Sequence, residues 1–300
     1  MSPDEQQRTR QGIIFAIAAY SMWGIAPIYF KSISEVSPLE ILSHRILWSV
    51  FLLAGLLHIG HRWRTVRDAV RTKKVMMYLC TTALLVGVNW LIFIWAVNSN
   101  RMLDASLGYY INPLFNVLLG MFFLGERLRK LQWFAVALAT SGVIIQLVAF
   151  GSVPIVALGL ACSFGLYALL RKKVALDAQV GLFIETIIMM PFAALYLFVI
   201  ADTPTSSLMN NEWSLNLLLV SAGIITTLPL LCFTGAATRL KLSTLGFFQY
   251  IGPSLMFILA VNVFGEDFGA DKILTFAFIW SALVVFSFDG IRHSKGKKTS

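Results

Sequence analysis

Charged residues are scarce in this chain of 300 residues, since Asp, Glu, Lys and Arg together make up 13%. An ordinary soluble domain carries about 25%, and a water-soluble protein of this size needs that charge to cover its surface. Hydrophobic residues make up 58% of the chain, and Phe alone contributes 23 residues. This composition excludes a disordered chain, a coiled coil, a nucleic-acid enzyme and a typical cytosolic enzyme.

Cysteine is also scarce, and the chain has only Cys80, Cys162 and Cys232. All three lie in apolar segments, where an odd number indicates small core residues and not a disulfide framework or a set of metal ligands. His58 and His61 lie three residues apart without a carboxylate or cysteine nearby. A phosphate loop, a nucleophile elbow and a metalloprotease motif are all missing. We therefore expect no catalytic residue, no metal and no cofactor.

The chain has instead ten apolar segments, each long enough to cross a bilayer core of about 30 Å. They cover residues 12–30, 39–59, 75–97, 103–124, 131–150, 153–170, 180–200, 215–237, 244–264 and 273–288. Lipid offers the backbone no hydrogen-bond partners, so these segments must be helices, whereas a barrel would show alternating segments of about 10 residues. The sequence predicts an all-α integral membrane protein with ten transmembrane helices.

The net charge of +9 is distributed unevenly among the loops. With a cytoplasmic N-terminus, 20 of the 24 Lys and Arg residues lie on the cytoplasmic side, three lie outside, and Arg45 lies within helix 2. This positive-inside bias predicts that both termini are cytoplasmic. The basic loop 62–74 resembles a nucleic-acid patch, but an orienting loop that faces anionic lipid explains it better, so we expect no nucleic-acid partner.

The chain repeats itself at a shift of 140 residues without gaps. Tyr110, Ile111 and Pro113 fall on Tyr250, Ile251 and Pro253, and Gly125-Glu126 falls on Gly265-Glu266. Each copy holds five helices, and because five is odd the second copy enters the membrane in the opposite orientation. We expect tails at 1–11 and 291–300 around two inverted five-helix repeats, 12–150 and 151–290, an arrangement that is a common basis of alternating access.

These features resemble the drug/metabolite transporter superfamily and, within it, the EamA family. The resemblance rests on the two repeats, the Pro-to-Gly-Glu spacing and Gln132-Trp133 at the start of helix 5. The stretches 89–97 and 105–114 are similar to the RarD-like branch, whose members are labelled chloramphenicol-sensitive proteins. The second copy departs from the pattern, since Gln132-Trp133 has no counterpart there and Asn112 becomes Gly252.

The resemblance implies a multi-pass carrier of the bacterial inner (plasma) membrane that exports amino acids or other metabolites. It also implies that helices 1–4 and 6–9 surround a central cavity, while helices 5 and 10 lie outside it and form a dimer contact. The expected partners are therefore a small-molecule substrate, the lipid bilayer and a second copy of the chain.

Two ionisable residues within the spans, Arg45 and Glu185, are related by the same shift of 140. Such residues in a membrane indicate function. Arg45 lies about 9 Å from the outer face of the membrane, and Glu185 lies at a similar depth from the cytoplasmic face. We therefore do not expect a direct ion pair between them. We expect Arg45 to attract a substrate carboxylate, and Glu185 to attract a cationic group or a proton, which would couple transport to protons. The alternative is that each pairs locally or extends to its nearer face.

Polar and aromatic residues on the neighbouring spans complete the expected substrate site. They are Asn89, Trp90, Phe93, Tyr109, Tyr110, Asn112, Gln249 and Tyr250. Ordinary helix packing or an interfacial aromatic belt would explain the same rings. Prolines within the spans predict kinks for gating, and they are Pro27, Pro113, Pro191, Pro229 and Pro253.

The sequence favours an exporter of amino acids or related zwitterions that works by alternating access. The alternatives within transport are a drug exporter, with chloramphenicol as an example, and a lipid-precursor flippase. The alternative outside transport, a membrane-embedded enzyme, would need a clustered nucleophile, base or metal set at membrane depth, and the spans contain no such cluster. The protein is therefore not expected to be an enzyme.

Overall fold

The computed structural model describes residues 3–98, 102–151, 155–263 and 270–296, and within these ranges every regular element is a helix. The twelve helices are α1 (Pro3–Ser32), α2 (Pro38–Ile59), α3 (Trp63–Arg71), α4 (Lys73–Asn98), α5 (Met102–Leu124), α6 (Lys130–Phe150), α7 (Ile155–Val174), α8 (Ala178–Leu195), α9 (Trp213–Ala237), α10 (Leu242–Gln249), α11 (Ile251–Asn262) and α12 (Ala270–Gly296). A π-helical turn, Tyr196–Ile200, continues α8.

Eight of these helices are long and apolar enough to cross a membrane, as judged within the described ranges. They are α1, α2, α4, α6, α7, α8, α9 and α12, and they account for eight of the ten expected spans. The fourth expected span corresponds to α5, which is apolar over the shorter stretch Gly108–Leu124. The all-helical membrane fold is confirmed, whereas the count of ten spans stays a prediction.

The ninth expected span, 244–264, is divided into α10 and α11. The two helices meet at Tyr250, whose backbone N–H donates to the carbonyl of Phe247 over 3.2 Å, a tighter turn than an α-helix makes. Pro253 follows three residues later, and proline has no N–H to donate to the carbonyl one turn earlier. The prediction of one continuous helix was therefore wrong, because this proline accompanies a break and not only a kink.

The basic segment after α2 also differs from the expectation of a loop, because nine of its residues form α3. One face of α3 is apolar: Val66 and Ala69 pack into the core, and the ring of Trp63 meets the ring of Phe183 edge-on with centroids 5.4 Å apart. The arginines lie on the exposed face. This segment is therefore a short amphipathic helix at the end of the bundle.

The helix contacts are arranged symmetrically between the two halves. The main contacts join α1 to α9 and α11, α2 to α8 and α9, α4 to α7 and α8, α5 to α7 and α10, and α6 to α12. When α1, α2, α4, α5 and α6 are exchanged for α7, α8, α9, α10–α11 and α12, this set of contacts maps onto itself. The pair α6–α12 lies at the edge of the bundle.

Individual side chains follow the same exchange. A Cβ on Gly24 would lie 2.7 Å from Cβ of Leu255, and a Cβ on Gly165 would lie 2.5 Å from the ring of Phe115. Leu255 and Phe115 are related by the shift of 140. Each half therefore uses a glycine on its first helix to admit a side chain from the fourth span of the other half.

The three cysteines are free thiols in this structure. Cys162 and Cys232 are partly buried, but Cys80 is exposed. The interpretation of all three as core residues was wrong for Cys80, because its apolar segment α4 presents that position to the outside of the bundle. No group of three or more His, Cys, Asp or Glu side chains that could hold a metal occurs among the described residues.

Candidate functional site

Helices α1 and α9 run antiparallel through the bundle and carry three successive layers of side chains. At one end, Arg8 donates to the carbonyl of Thr238 over 3.1 Å. In the middle, the rings of Tyr20 and Phe233 meet edge-on at 6.2 Å. At the other end, the hydroxyl of Tyr29 donates to the carbonyl of Leu218 over 2.8 Å. The sites described below follow this order along the bundle.

Arg45 of α2 lies in the layer nearest Tyr29, inside the bundle and partly exposed. Its Nε donates to the hydroxyl of Thr226 on α9 over 2.7 Å. Its guanidinium carbon lies 5.0 Å from the ring centre of Trp90 on α4 and 5.7 Å from that of Phe30 on α1. Cation–π contacts stabilise a guanidinium without neutralising it. No carboxylate forms an ion pair with Arg45 in the part of the chain that the structure describes.

Two expected aromatic residues extend the surroundings of Arg45. Tyr109 of α5 lies close enough to Arg45 for electrostatic interaction, and its ring meets that of Phe93 with centroids 6.4 Å apart. Tyr109 is more than a third exposed, although it lies on an apolar helix. The structure thus brings together Arg45, Trp90, Phe93 and Tyr109 from the expected substrate site.

The middle layer is a cluster of aromatic rings between the two halves. Trp23 and Phe164 meet edge-on at 5.9 Å, and Tyr167 stacks on Phe233 at 6.0 Å. Trp23 and Phe164 precede the equivalent glycines Gly24 and Gly165, so they are equivalent residues of the two halves in contact with each other. These rings fill the space between the layer of Arg45 and the end that carries Arg8.

Glu185 of α8 has surroundings unlike those of Arg45. It is 0% exposed, and its carboxylate accepts hydrogen bonds from Thr82 at 2.5 Å and from Tyr167 at 3.3 Å. Nη1 of Arg171 lies 3.5 Å from its Oε1. The carboxylate therefore has a cation supplied by the chain itself. Arg45 and Glu185 form no direct ion pair, as the sequence predicted.

Arg171 was missed as a functional residue, because the run Arg171-Lys172-Lys173 is typical of a cytoplasmic loop. It is only 1% exposed, and a Cβ on Gly181 would lie 1.9 Å from its Nη1, so only glycine leaves room for the guanidinium. Its three guanidinium nitrogens receive no hydrogen-bond partner from the described residues. The sequence has no signal that distinguishes Arg171 from its basic neighbours, because its burial depends on the contact with Gly181 in the next helix.

Other expected site residues form hydrogen bonds between helices. Asn89 donates to the hydroxyl of Ser163 over 2.9 Å, which ties α4 to α7. Gln249 accepts from Asn116 over 3.1 Å, and the hydroxyl of Tyr250 donates to the carbonyl of Tyr110 over 3.2 Å. These groups join α5 to α10 and α11.

Asn112 is 4% exposed, and its Oδ1 accepts no hydrogen bond from the described residues. The expected gating prolines Pro27, Pro113 and Pro229 lie within continuous helices, and Pro253 follows the break at Tyr250. The role of these residues in binding or gating stays a prediction.

The Gly-Glu that follows α5 in the first repeat has a structural task that the sequence did not reveal. Gly125 has φ of 63°, a left-handed conformation that favours glycine and turns the chain back. Glu126 then accepts hydrogen bonds from the backbone N–H groups of Leu242 at 2.6 Å and Ser243 at 3.0 Å, the first residues of α10. Its counterpart Glu266 lies outside the described residues.

Comparisons with known proteins agree with this architecture. The model of the EamA-like transporter family matches residues 10–148. An uncharacterised transporter of Vibrio cholerae is 70% identical over 292 residues, which cover 97% of this chain and 96% of that protein. The protein RarD of Escherichia coli K12 is 58% identical over 287 residues, which cover 96% of this chain and 97% of that protein.

More distant relatives extend the comparison. The chloramphenicol-sensitive protein RarD of Pseudomonas aeruginosa is 31% identical over 286 residues, which cover 94% of this chain and 95% of that protein. A protein known from its crystal structure shares the fold with a TM-score of 0.72 at 18% identity, over 91% of this chain and 96% of that chain. The chain is therefore a membrane transporter that belongs to the EamA-like family of the drug/metabolite transporter superfamily, in its RarD-like branch.

Proposed function

We propose that this chain is a secondary transporter of the bacterial inner membrane that exports amino acids or related zwitterions. The observation that carries this proposal is the state of Arg45, a partly exposed cation inside the bundle that is held by a hydroxyl group and aromatic rings. A guanidinium binds a carboxylate through two parallel hydrogen bonds. The surrounding rings offer contact area to an organic side chain without adding fixed charge.

We propose alternating access between two inverted five-helix repeats, 12–150 and 151–290, as the route of transport. The symmetric set of helix contacts and the mutual contact of Trp23 with Phe164 support this arrangement. The aromatic layer that contains these two rings is the barrier between the two sides of the membrane. Rocking one half against the other would open the barrier towards one side at a time.

Both termini are proposed to be cytoplasmic. The N-terminal tail, the segment after α2, the segment after α7 and the end of α9 surround one cleft at the same end of the bundle. These four segments are among the six whose basic residues predict a cytoplasmic location. The edge pair α6–α12 is the proposed dimer contact.

We propose that Glu185 couples transport to protons. A proton on this carboxylate would leave Arg171 without its counter-charge in a dry environment, which is costly. Proton uptake would therefore disturb the packing of α4, α7 and α8 around the pair. In this scheme Arg171, and not the substrate, is the cation that Glu185 holds in the state described here.

Purified protein in liposomes tests the proposal. We expect labelled zwitterionic amino acids to cross the membrane through the wild type. Arg45→Gln should lower this flux by about tenfold or more. The matched control is Arg67→Gln, since Arg67 lies on the exposed face of α3, and its flux should equal that of the wild type. A finding of no amino-acid flux through the wild type, with lipid scrambling present, would instead support a flippase.

Drug export is the second candidate function, because a relative from Pseudomonas aeruginosa carries the name chloramphenicol-sensitive protein RarD. Chloramphenicol in the same liposomes tests it. Chloramphenicol carries no carboxylate, so its flux should not depend on the charge of Arg45. Equal flux of chloramphenicol through the wild type and Arg45→Gln, without any amino-acid flux, would replace the first candidate with the second.

A further inference from the structure

A cleft of about 550 Å³ opens at the end of the bundle that carries the N-terminal tail. It lies between α1, α9 and the segment that joins α7 to α8, and its charged lining consists of Arg8, Arg62, Arg239 and Asp177. It is separate from the surroundings of Arg45. Phe15 lies in the cleft, Trp23 in the aromatic layer and Phe30 beside Arg45, so about 10–12 Å of α1 separates each level from the next.

The cleft carries an excess of positive charge. Its single carboxylate, Asp177, already accepts the backbone N–H of Gln179 at 3.1 Å as the cap of α8, and it also forms an ion pair with Arg62. The guanidinium groups of Arg8 and Arg239 therefore have no carboxylate left to them within this lining.

Hydrogen bonds to the described residues hold the two remaining arginines in place and use only some of their N–H donors. Arg239 donates from Nη1 to the carbonyl of Gly235 over 2.9 Å, and its guanidinium carbon lies 5.3 Å from the ring centre of Phe15. Arg8 donates from Nη2 to the carbonyl of Thr238 over 3.1 Å. A guanidinium has five N–H donors, so each can bind an anion without breaking these contacts.

The ring of Phe15 at the base of the cleft explains the position of the Arg239 guanidinium. A Cβ on Gly235 would lie 3.0 Å from the ring of Phe15, so glycine lets the ring lie directly against α9. The ring in turn supports the guanidinium of Arg239 from below. Two neutral side chains that can donate hydrogen bonds, Gln11 and Gln179, also line the cleft. The cleft thus combines fixed cations, amide groups and a rigid aromatic base.

We propose that this cleft binds an anionic group, a carboxylate or a phosphate, in front of the aromatic layer. Arg8 and Arg239 hold the anion, and Gln11 and Gln179 contribute neutral hydrogen bonds. As the first stop on the way to Arg45, the site rests on the proposed function and adds a loading position for substrates that carry a carboxylate. Two sources share this chemistry, a small solute and the head group of an anionic lipid.

The test uses the full-length protein in nanodiscs, with L-glutamate and inorganic phosphate as soluble probes and phosphatidylglycerol as the lipid probe. In nanodiscs of phosphatidylcholine alone, we expect both soluble probes to bind the wild type. Arg239→Gln should weaken that binding by about tenfold or more, and Arg8→Gln should weaken it to a smaller extent. The matched control Arg67→Gln removes the same charge from the same end of the molecule and should bind like the wild type.

The second arm identifies the source of the anion. Nanodiscs with phosphatidylglycerol should leave the binding of L-glutamate unchanged if the cleft takes a solute, and should abolish it if the lipid head group occupies the cleft. In the latter case, native mass spectrometry should show phosphatidylglycerol retained by the wild type and lost from Arg239→Gln. Both results support an anion site, and they assign its source.

Two results would overturn the proposal. One is that neither soluble probe nor phosphatidylglycerol binds the wild type, and the other is that Arg239→Gln and Arg67→Gln bind equally well. Liposome flux separates this outcome from a failure of the proposed function. Anion binding that depends on Arg239, without any amino-acid flux through the wild type, would support the anion site and contradict the proposed function. Normal amino-acid flux through the wild type, together with anion binding that does not depend on Arg239, would overturn the anion site and leave the proposed function standing.

Discussion

Arg45 and Glu185 occupy equivalent positions in the two halves of the chain, and their surroundings are opposite. Arg45 is partly exposed and rests on a hydroxyl group and two rings, whereas Glu185 is fully buried against Arg171. Each receives its hydroxyl contact across an equivalent helix pair, α2–α9 for Arg45 and α8–α4 for Glu185. The comparison shows that the halves share helix contacts while the chemistry at one position has diverged.

The difference separates a charge that is available to a ligand from a charge that the fold neutralises. Breaking a buried ion pair leaves an uncompensated charge and destabilises a protein strongly, whereas removing a charge that has no ion-pair partner leaves no such charge behind. The four predictions below therefore expect large stability effects around Glu185 and small ones around Arg45. They proceed from the largest expected effect on stability to the smallest.

Replacing Arg171 should have the largest effect. Arg171→Met leaves Glu185 buried without a counter-charge, so the free energy of unfolding should fall by about 3–5 kcal/mol. Denaturant unfolding of the purified protein in detergent measures this change. The double variant Arg171→Met/Glu185→Leu removes both charges and should regain most of the loss. A single variant as stable as the wild type would show that the pair is not energetically coupled.

Gly181→Ala should have the next largest effect, because the added Cβ would lie 1.9 Å from Nη1 of Arg171 and displace the guanidinium. Overpacking of this kind costs about 1–3 kcal/mol. Thermal unfolding followed by intrinsic fluorescence measures it. The matched control is Gly55→Ala in α2, where a Cβ would meet nothing within 4 Å. Equal unfolding midpoints for the two variants would contradict the tight fit around Arg171.

The two threonines that contact Arg45 and Glu185 test the two environments directly. Thr82→Val removes a hydrogen bond to a fully buried carboxylate and should cost about 2 kcal/mol, whereas Thr226→Val removes one from a partly buried guanidinium and should cost about 1 kcal/mol. Both substitutions keep the shape of the side chain, so each serves as the control for the other in the same unfolding assay. A larger loss for Thr226→Val would reverse the assignment of the two environments.

Arg45→Gln should have the smallest effect on stability and the largest on transport. It removes one hydrogen bond and two ring contacts from a side chain that forms no ion pair with the described residues, so the free energy of unfolding should change by about 1 kcal/mol or less. Unfolding and liposome flux are measured on the same preparation. Arg45→Lys keeps the charge and should retain part of the flux. Full flux through Arg45→Gln would remove Arg45 from the substrate site.

The sequence predicted the helical membrane fold well, because hydropathy and the absence of backbone partners in lipid determine it. It also predicted that Arg45 and Glu185 would not pair, because each lies near a different face of the membrane. Arg171 could not be predicted, since its burial depends on Gly181 in another helix and its basic neighbours are typical of a loop. The helix α3 was missed for a similar reason, because its arginines are also typical of a cytoplasmic loop.

The direction in which a side chain points from its helix could not be predicted from hydropathy. Tyr109 and Tyr110 are neighbours in the sequence, but Tyr109 faces Arg45 while the ring of Tyr110 meets Phe276 of α12. Successive residues on a helix point about 100° apart, and hydropathy does not tell which of two adjacent tyrosines faces the lumen. The break at Tyr250 depended similarly on packing of α10 against α5, which a single segment does not reveal.

The hydrogen bonds of Glu126 have a consequence for biosynthesis. This carboxylate is separated from Leu242 by 116 positions of chain, and α10 is made after α6, α7, α8 and α9. Glu126 therefore leaves the ribosome, just after α5, before its backbone donors exist. Until α10 arrives, this carboxylate must remain hydrated at the membrane surface. The hydrogen bonds that tie the end of α5 to the start of α10 thus join groups that are synthesised more than a hundred residues apart.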